Sequence, residues 1–301
     1  MKTLKTHKSL LATAVGAALA VGMLSQAYAS PVFTVTPTGP IVIGSFQADF
    51  IAGNSSELLI GNTFIGDTTL GTTLSTGANQ GWLNFSGFSL AGAPILPLTS
   101  GLGVDFQLYV LFSLVATYTG NSIVGNGFGQ AGSNYNVTTQ NYTMYLDRFS
   151  DAGGNTTFTQ ANATSNTPAS VTDFSANDIV IGSGSVIPGP LSVAGFSGGF
   201  GAFLNSLVSF TLTTGAGYNG DDFFTAPVPF YNIAFDAFNN TTQGVIVNNS
   251  TNGCSINAPC ISVTNAIGGI DYVQVPEPET LALLGIGLLG MGVSLRKRKA
   301  A

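Results

Sequence analysis

Between residues 30 and 275 this sequence offers chemistry almost only through carboxylates: eleven aspartates, the single glutamate Glu57 and one cation, Arg148. That stretch holds no histidine and no lysine. It can therefore build no Ser-His-Asp or Cys-His centre, no lysine Schiff base and no phosphate loop with its lysine. Its two cysteines, Cys254 and Cys260, fall short of the ligand sets that hold zinc. One cation against twelve acids leaves a charge of −11, a sign that repels phosphates and excludes nucleic acid as a partner. The enzyme class still allowed is a glycoside hydrolase working with paired carboxylates. No spacing among the twelve acids sets such a pair apart from scattered surface charge, so the expectation is a non-enzymatic protein with no catalytic residue and no cofactor.

Three local groupings bear on binding. Asp147, Asp151 and Asn155 stand four apart in a glycine-rich turn, and hard oxygens at that spacing suit calcium, which takes six to eight of them. The segment lacks the alternation and closing glutamate of an EF-hand loop, and a solvated turn in which Arg148 pairs with Asp147 or Asp151 is the competing reading. Trp82, the sole tryptophan, lies beside Asn79, Gln80 and Asn84, a set that could stack and hydrogen-bond a sugar ring. Tyr135, Tyr142 and Tyr145 are likewise set among asparagines. A tryptophan opening a strand also serves core packing. Cys254 and Cys260, six apart, fit a small disulfide loop in an oxidising compartment and are too widely spaced for a redox Cys-x-x-Cys.

The elements that position these groups read as strands. Residues 102–118 place Leu102, Val104, Phe106, Leu108, Val110, Phe112, Leu114, Ala116 and Tyr118 at every second position, a period only a strand can bury on one side. Residues 40–51, with Gly44 as a bulge, and 81–90, with a bulge at Ser86-Gly87, predict further strands. So do 137–149, 230–238, 244–247 and 270–275. Phe200, Phe203, Leu204 and Leu207 follow helical spacing and predict one short helix over 199–207, against which Gly198, Gly199 and Gly201 argue. The sum is one all-β domain over residues 30–275: an antiparallel β-sandwich, with a jelly roll or closed barrel as alternatives.

Both ends are addresses. Lys2, Lys5 and Lys8 precede an apolar run over 10–24, and Ala27-Tyr28-Ala29 supplies the small residues that signal peptidase needs for a cut between Ala29 and Ser30. Residues 1–29 thus read as a secretory signal peptide. At the other end, 276–301 runs Pro276-Glu277-Pro278-Glu279, an apolar helix over 280–295, then Arg296-Lys297-Arg298-Lys299. The two prolines keep the motif extended, as a peptide entering a protease cleft must be. The helix is just long enough to span with its basic ends snorkelling, and the cations hold the C-terminus in the cytoplasm.

This tail resembles the PEP-CTERM sorting signal of Gram-negative bacteria. The resemblance rests on Val275-Pro276-Glu277-Pro278, the Gly/Leu-rich helix and the Arg-Lys-Arg-Lys stop. It implies recognition by exosortase, an inner-membrane peptidase or transpeptidase-like enzyme, and a path through an inner-membrane intermediate to the cell surface or extracellular matrix. The body is similar to flocculation-associated PEP-CTERM proteins in Ser55-Ser56-Glu57-Leu58-Leu59, Gly81-Trp82-Leu83-Asn84-Phe85 and Gly101-Leu102-Gly103-Val104-Asp105-Phe106. The likeness continues in Thr157-Phe158-Thr159-Gln160-Ala161-Asn162-Ala163 and Phe238-Asn239-Asn240-Thr241-Thr242-Gln243-Gly244. It implies a matrix or adhesion protein that acts with extracellular polysaccharide in flocculation or biofilm formation, with self-association as a second mode. A carbohydrate-binding module with a defined pocket is the alternative.

Overall fold

Alternating apolar residues and frequent glycine-bearing turns produce β-structure almost throughout. The structure, a computed structural model, describes residues 31–38, 44–77, 80–151, 153–172, 177–197, 201–240, 244–247 and 254–273. In chain order the strands begin with β1 (Phe33–Val35), β2 (Phe46–Ala48), β3 (Phe50–Gly61), β4 (Thr73–Ser75), β5 (Gly81–Leu90) and β6 (Ala93–Ile95). Then come β7 (Phe106–Asn121), β8 (Ser133–Arg148), β9 (Thr157–Thr159), β10 (Ser170–Thr172), β11 (Ile179–Ser185) and β12 (Val193–Ser197). The last are β13 (Gly201–Ser209), β14 (Thr211–Leu212), β15 (Phe224–Ala226), β16 (Ile233–Asn240), β17 (Gly244–Val247) and β18 (Cys260–Val273). Among the described residues, two single-turn helices, α1 (Pro97–Ser100) and α2 (Gly220–Phe223), interrupt them.

The antiparallel ladders close on themselves. β8 pairs with β7, β7 with β5, β5 with β3, β3 with β18, β18 with β16, and β16 with β13. The ring is completed because β13 pairs with β12 and β12 with β8. β11 and β12 run the same way along one edge of β8, at Asn141–Leu146 and Asn134–Asn136, so together they fill one strand position with residues 186–192 looped out between them. In the same way, β4 and β5 share the position between β3 and β7. Of the expected architectures, the closed barrel is the one these ladders describe. An eight-position barrel has an interior just wide enough for side chains to fill.

Period-2 alternation sends Ile51, Ser55, Glu57 and Leu59 of β3 inward, with Phe106 through Tyr118 of β7 and Ala234, Asp236 and Phe238 of β16. Aromatic clusters sit towards both ends of this interior. Phe33 of β1 and Phe224 of β15 pack edge-on against Tyr272, and Phe106 packs on Phe223. Twelve residues along β7, roughly 40 Å away, Tyr118 meets Phe128 and Tyr135.

Three element expectations change. The long strand starts at Phe106, because α1 is capped by Gly101 with φ +80° and residues 101–105 form a turn; the period continuing through Leu102 and Val104 belongs to that turn. The helix expected over 199–207 is strand β13, whose Ala202, Leu204, Ser206 and Val208 face inward while both its edges bond to β12 and β16. Gly44, at φ +113°, precedes β2 and does not bulge it. The bulge in β5 is present: Gly87 pairs with Ala52 and Phe85 with Gly53, leaving Ser86 as the extra residue.

Candidate functional site

The outward positions of the same strands build a second, smaller core. Leu58, Trp82, Tyr109 and Leu111 alternate with inward residues and point out of the barrel, where residues 153–172, within the excursion between β8 and β11, fold over them. This excursion leaves β8, forms the β9–β10 hairpin and returns as β11. It is fastened at several points. Trp82 Nε1 donates to the Thr159 carbonyl oxygen at 2.9 Å. The Ala161 amide donates to Ser56 Oγ at 2.9 Å, and Ser56 donates to the Val263 carbonyl oxygen at 2.9 Å. Gln160 Nε2 donates to Asn265 Oδ1, and the Asn265 amide returns a bond to Gln160 Oε1. Cys254 and Cys260 are joined in a disulfide whose sulfurs abut the excursion, Cys254 Sγ lying 3.7 Å from the Ala163 carbonyl oxygen.

Trp82 is therefore no sugar platform. It is 2% exposed, and its ring packs at 5.1 Å on Phe158. Tyr135 and Tyr142 are buried inside, and Tyr145 stacks on Tyr109 beneath the excursion.

At the root of the excursion three carboxylates converge. Asp147 and Tyr145 lie on the outer face of β8, whereas Arg148, one residue on, belongs to the opposite face and pairs in register with Phe106. Asp151 lies in the turn that follows, its amide bonded to the Arg148 carbonyl oxygen. Asp178 comes from the far end of the excursion, immediately before Ile179 pairs with Leu146. One oxygen from each of Asp147, Asp151 and Asp178 lies within 4.8 Å of the others. Asp147 is fully buried; its Oδ2 accepts from the Thr156 amide at 2.7 Å, while its Oδ1 has no hydrogen-bond partner. Asp151 Oδ1 accepts from the Gly153 amide at 2.9 Å, and its buried Oδ2 also has none. Asp178 accepts from Tyr109, whose phenol is pushed up by burial first and by that bond second, and so keeps its proton. Burial and the neighbouring charges of Asp178 and Asp151 raise the Asp147 carboxyl, against the Thr156 bonds. Of the ligand set expected from sequence, Asp147 and Asp151 meet, Asn155 is exposed, and Asp178 is the member that linear spacing could not supply.

A second pair of acids lies inside the barrel. Glu57 is pushed up to about 8 by burial and then by the charge of Asp236. Asp236 is pushed to about 6 by burial, although Gln140 Nε2 donates to its Oδ2 at 2.9 Å. The two acids line adjoining cavities of about 30 and 20 Å³ that share Ser55, Leu204 and Phe238. Such volumes admit one or two water molecules and are an order of magnitude below ligand pockets of about 300 Å³ or more. Their sequence signal was parity: Glu57 falls in step with Ile51 and Leu59, and Asp236 with Ala234 and Phe238.

The signal-cleavage residues Ala27, Ala29 and Ser30 lie outside the described residues, as do the Pro276-Glu277-Pro278 motif, the run 280–295 and the basic stop 296–299. Among the described residues no helix is long and apolar enough to cross a membrane. Residues 274–299 match the PEP-CTERM protein-sorting motif. No curated protein and no solved structure matches the chain.

Proposed function

We propose, from the premise that this chain is an exported PEP-CTERM protein processed by exosortase, that its barrel is a non-enzymatic matrix or adhesion body. It would act with extracellular polysaccharide at the cell surface of a Gram-negative bacterium, promoting flocculation or biofilm formation. The observation that carries this reading is the sorting motif, which begins at 274, directly after β18 ends at Val273. The interior is in keeping with it: Glu57 and Asp236 line cavities far too small for a sugar ring. The exterior supports it as well. Asn134, Asn136, Thr138 and Asn141 are exposed along the outer face of β8, a row of amides and a hydroxyl that can exchange water for polymer hydroxyls.

The test deletes residues 276–301 and follows protein location and flocculation together. The expected outcome is mislocalised protein and lost flocs, with floc formation restored when the purified full chain is added from outside. Normal flocculation by cells lacking the gene altogether would overturn the proposal.

A further inference from the structure

The carboxylates at the root of the excursion have a geometry that scattered surface acids lack. Two oxygens each about 2.4 Å from a common ion can be at most about 4.8 Å apart, and Asp147, Asp151 and Asp178 meet that limit pairwise. A fully buried carboxylate oxygen without a hydrogen-bond partner has lost its hydration with nothing in return. Here there are two such atoms, Asp147 Oδ1 and Asp151 Oδ2, in one cluster of three like charges. The only cation of the stretch, Arg148, belongs to the other face of β8. We infer that Asp147, Asp151 and Asp178 bind a calcium ion that ties the outgoing and returning ends of the excursion to the barrel. The donors are all hard oxygens, which disfavours zinc. They come from a turn and two strand ends, the adaptable setting that calcium accepts and magnesium's stricter octahedron does not. Asp151 and Asp178 are half-buried, not sealed in the core, and an affinity on the order of 10⁻⁴ to 10⁻³ M suits an extracellular module. This site does not depend on the matrix role: polysaccharide binding could fail with calcium binding intact, and the reverse.

The experiment uses the full chain purified in detergent, stripped with EGTA and titrated with calcium or magnesium chloride while thermal unfolding is followed. Calcium at saturation is expected to raise Tm by about 5 °C, and equal magnesium by much less. Terbium added to the stripped protein should luminesce on excitation of Tyr109, which bonds Asp178 directly. Asp151→Asn and Asp178→Asn should each abolish both responses, while Asp67→Asn, in an exposed loop elsewhere, keeps them. Asn at 151 retains the acceptor for the Gly153 amide and removes one repelling charge. Its Tm in EGTA should therefore match or exceed the parent's, which a merely structural carboxylate would not allow. Absence of a calcium shift up to about 10 mM, a shift that survives in both variants, or an equal Tm loss in EGTA and in calcium would each overturn the site.

Discussion

At the residue scale, the barrel keeps two acids where apolar side chains would be expected, and their protonation is tied to folding. Glu57, 5% exposed, has a folded value near 8 against an ordinary 4.5. Between those values the native state holds the proton more tightly than the unfolded chain does. The contribution of Glu57 to stability is therefore fully present below about pH 4.5 and is lost as pH rises towards 8. Glu57→Gln keeps the shape and fixes the neutral form. Relative to the parent it should gain stability on going from pH 5 to pH 8, by a few kcal/mol, read from urea-denaturation midpoints at both pH values. Parallel curves for parent and variant would show that Glu57 does not carry this burden. The same scale explains why Trp82 misleads as a lone aromatic among asparagines. Composition around it reads as polar and sugar-like, but its partners Phe158 and Thr159 lie far along the chain and arrive only when the excursion folds back.

At the element scale, the barrel closes through a split position, where β11 and β12 together stand between β8 and β13. Close backbone approach holds this seam: a Cβ added at Gly184 would lie 1.8 Å from the Ser209 carbonyl oxygen, which also accepts from the Tyr142 hydroxyl at 2.6 Å. Gly184→Ala should cost about 3 kcal/mol in urea denaturation, whereas Gly189→Ala, in the looped-out 186–192 with open space around it, should be close to neutral. Equal costs would mean that the seam is not tight. Strands 81–90 and 244–247 were legible to the residue; in the first, the alternation of Leu83 with Phe85 and of Phe88 with Leu90 is a local signal. The start of β7 was not, since Gly101 and Gly103 turn the chain while the apolar period runs on. Nor was β13, where Phe203, Leu204 and Leu207 mimic a helix face and only its two neighbouring strands decide the matter. The carboxylate cluster was half legible: Asp147 and Asp151 are local, but Asp178 joins them through the pairing of Ile179 with Leu146. Ser56, Trp82 and Thr159–Ala161, far apart in the chain, meet at the excursion's fastening points.

At the scale of the whole molecule, closure was the property sequence could least supply, because a sandwich and a barrel present the same alternation strand by strand. Among the described residues, closure leaves none of the barrel's long strands with a free edge. The body's last strand adds something of a different kind. β18 is fourteen residues long, bonded to β3 on one edge and to β17 and then β16 on the other, and ends where the sorting motif begins. Its ladder bonds lie across the strand, so tension drawn along it loads both rows together instead of peeling them singly. A single-molecule handle at residue 273 should accordingly rupture in one high-force step, and a handle in the 186–192 loop at lower force; similar forces from both would count against it. For an exported protein, that makes the strand before the sorting motif a stem under tension, able to carry shear from flowing water into the barrel before the barrel opens.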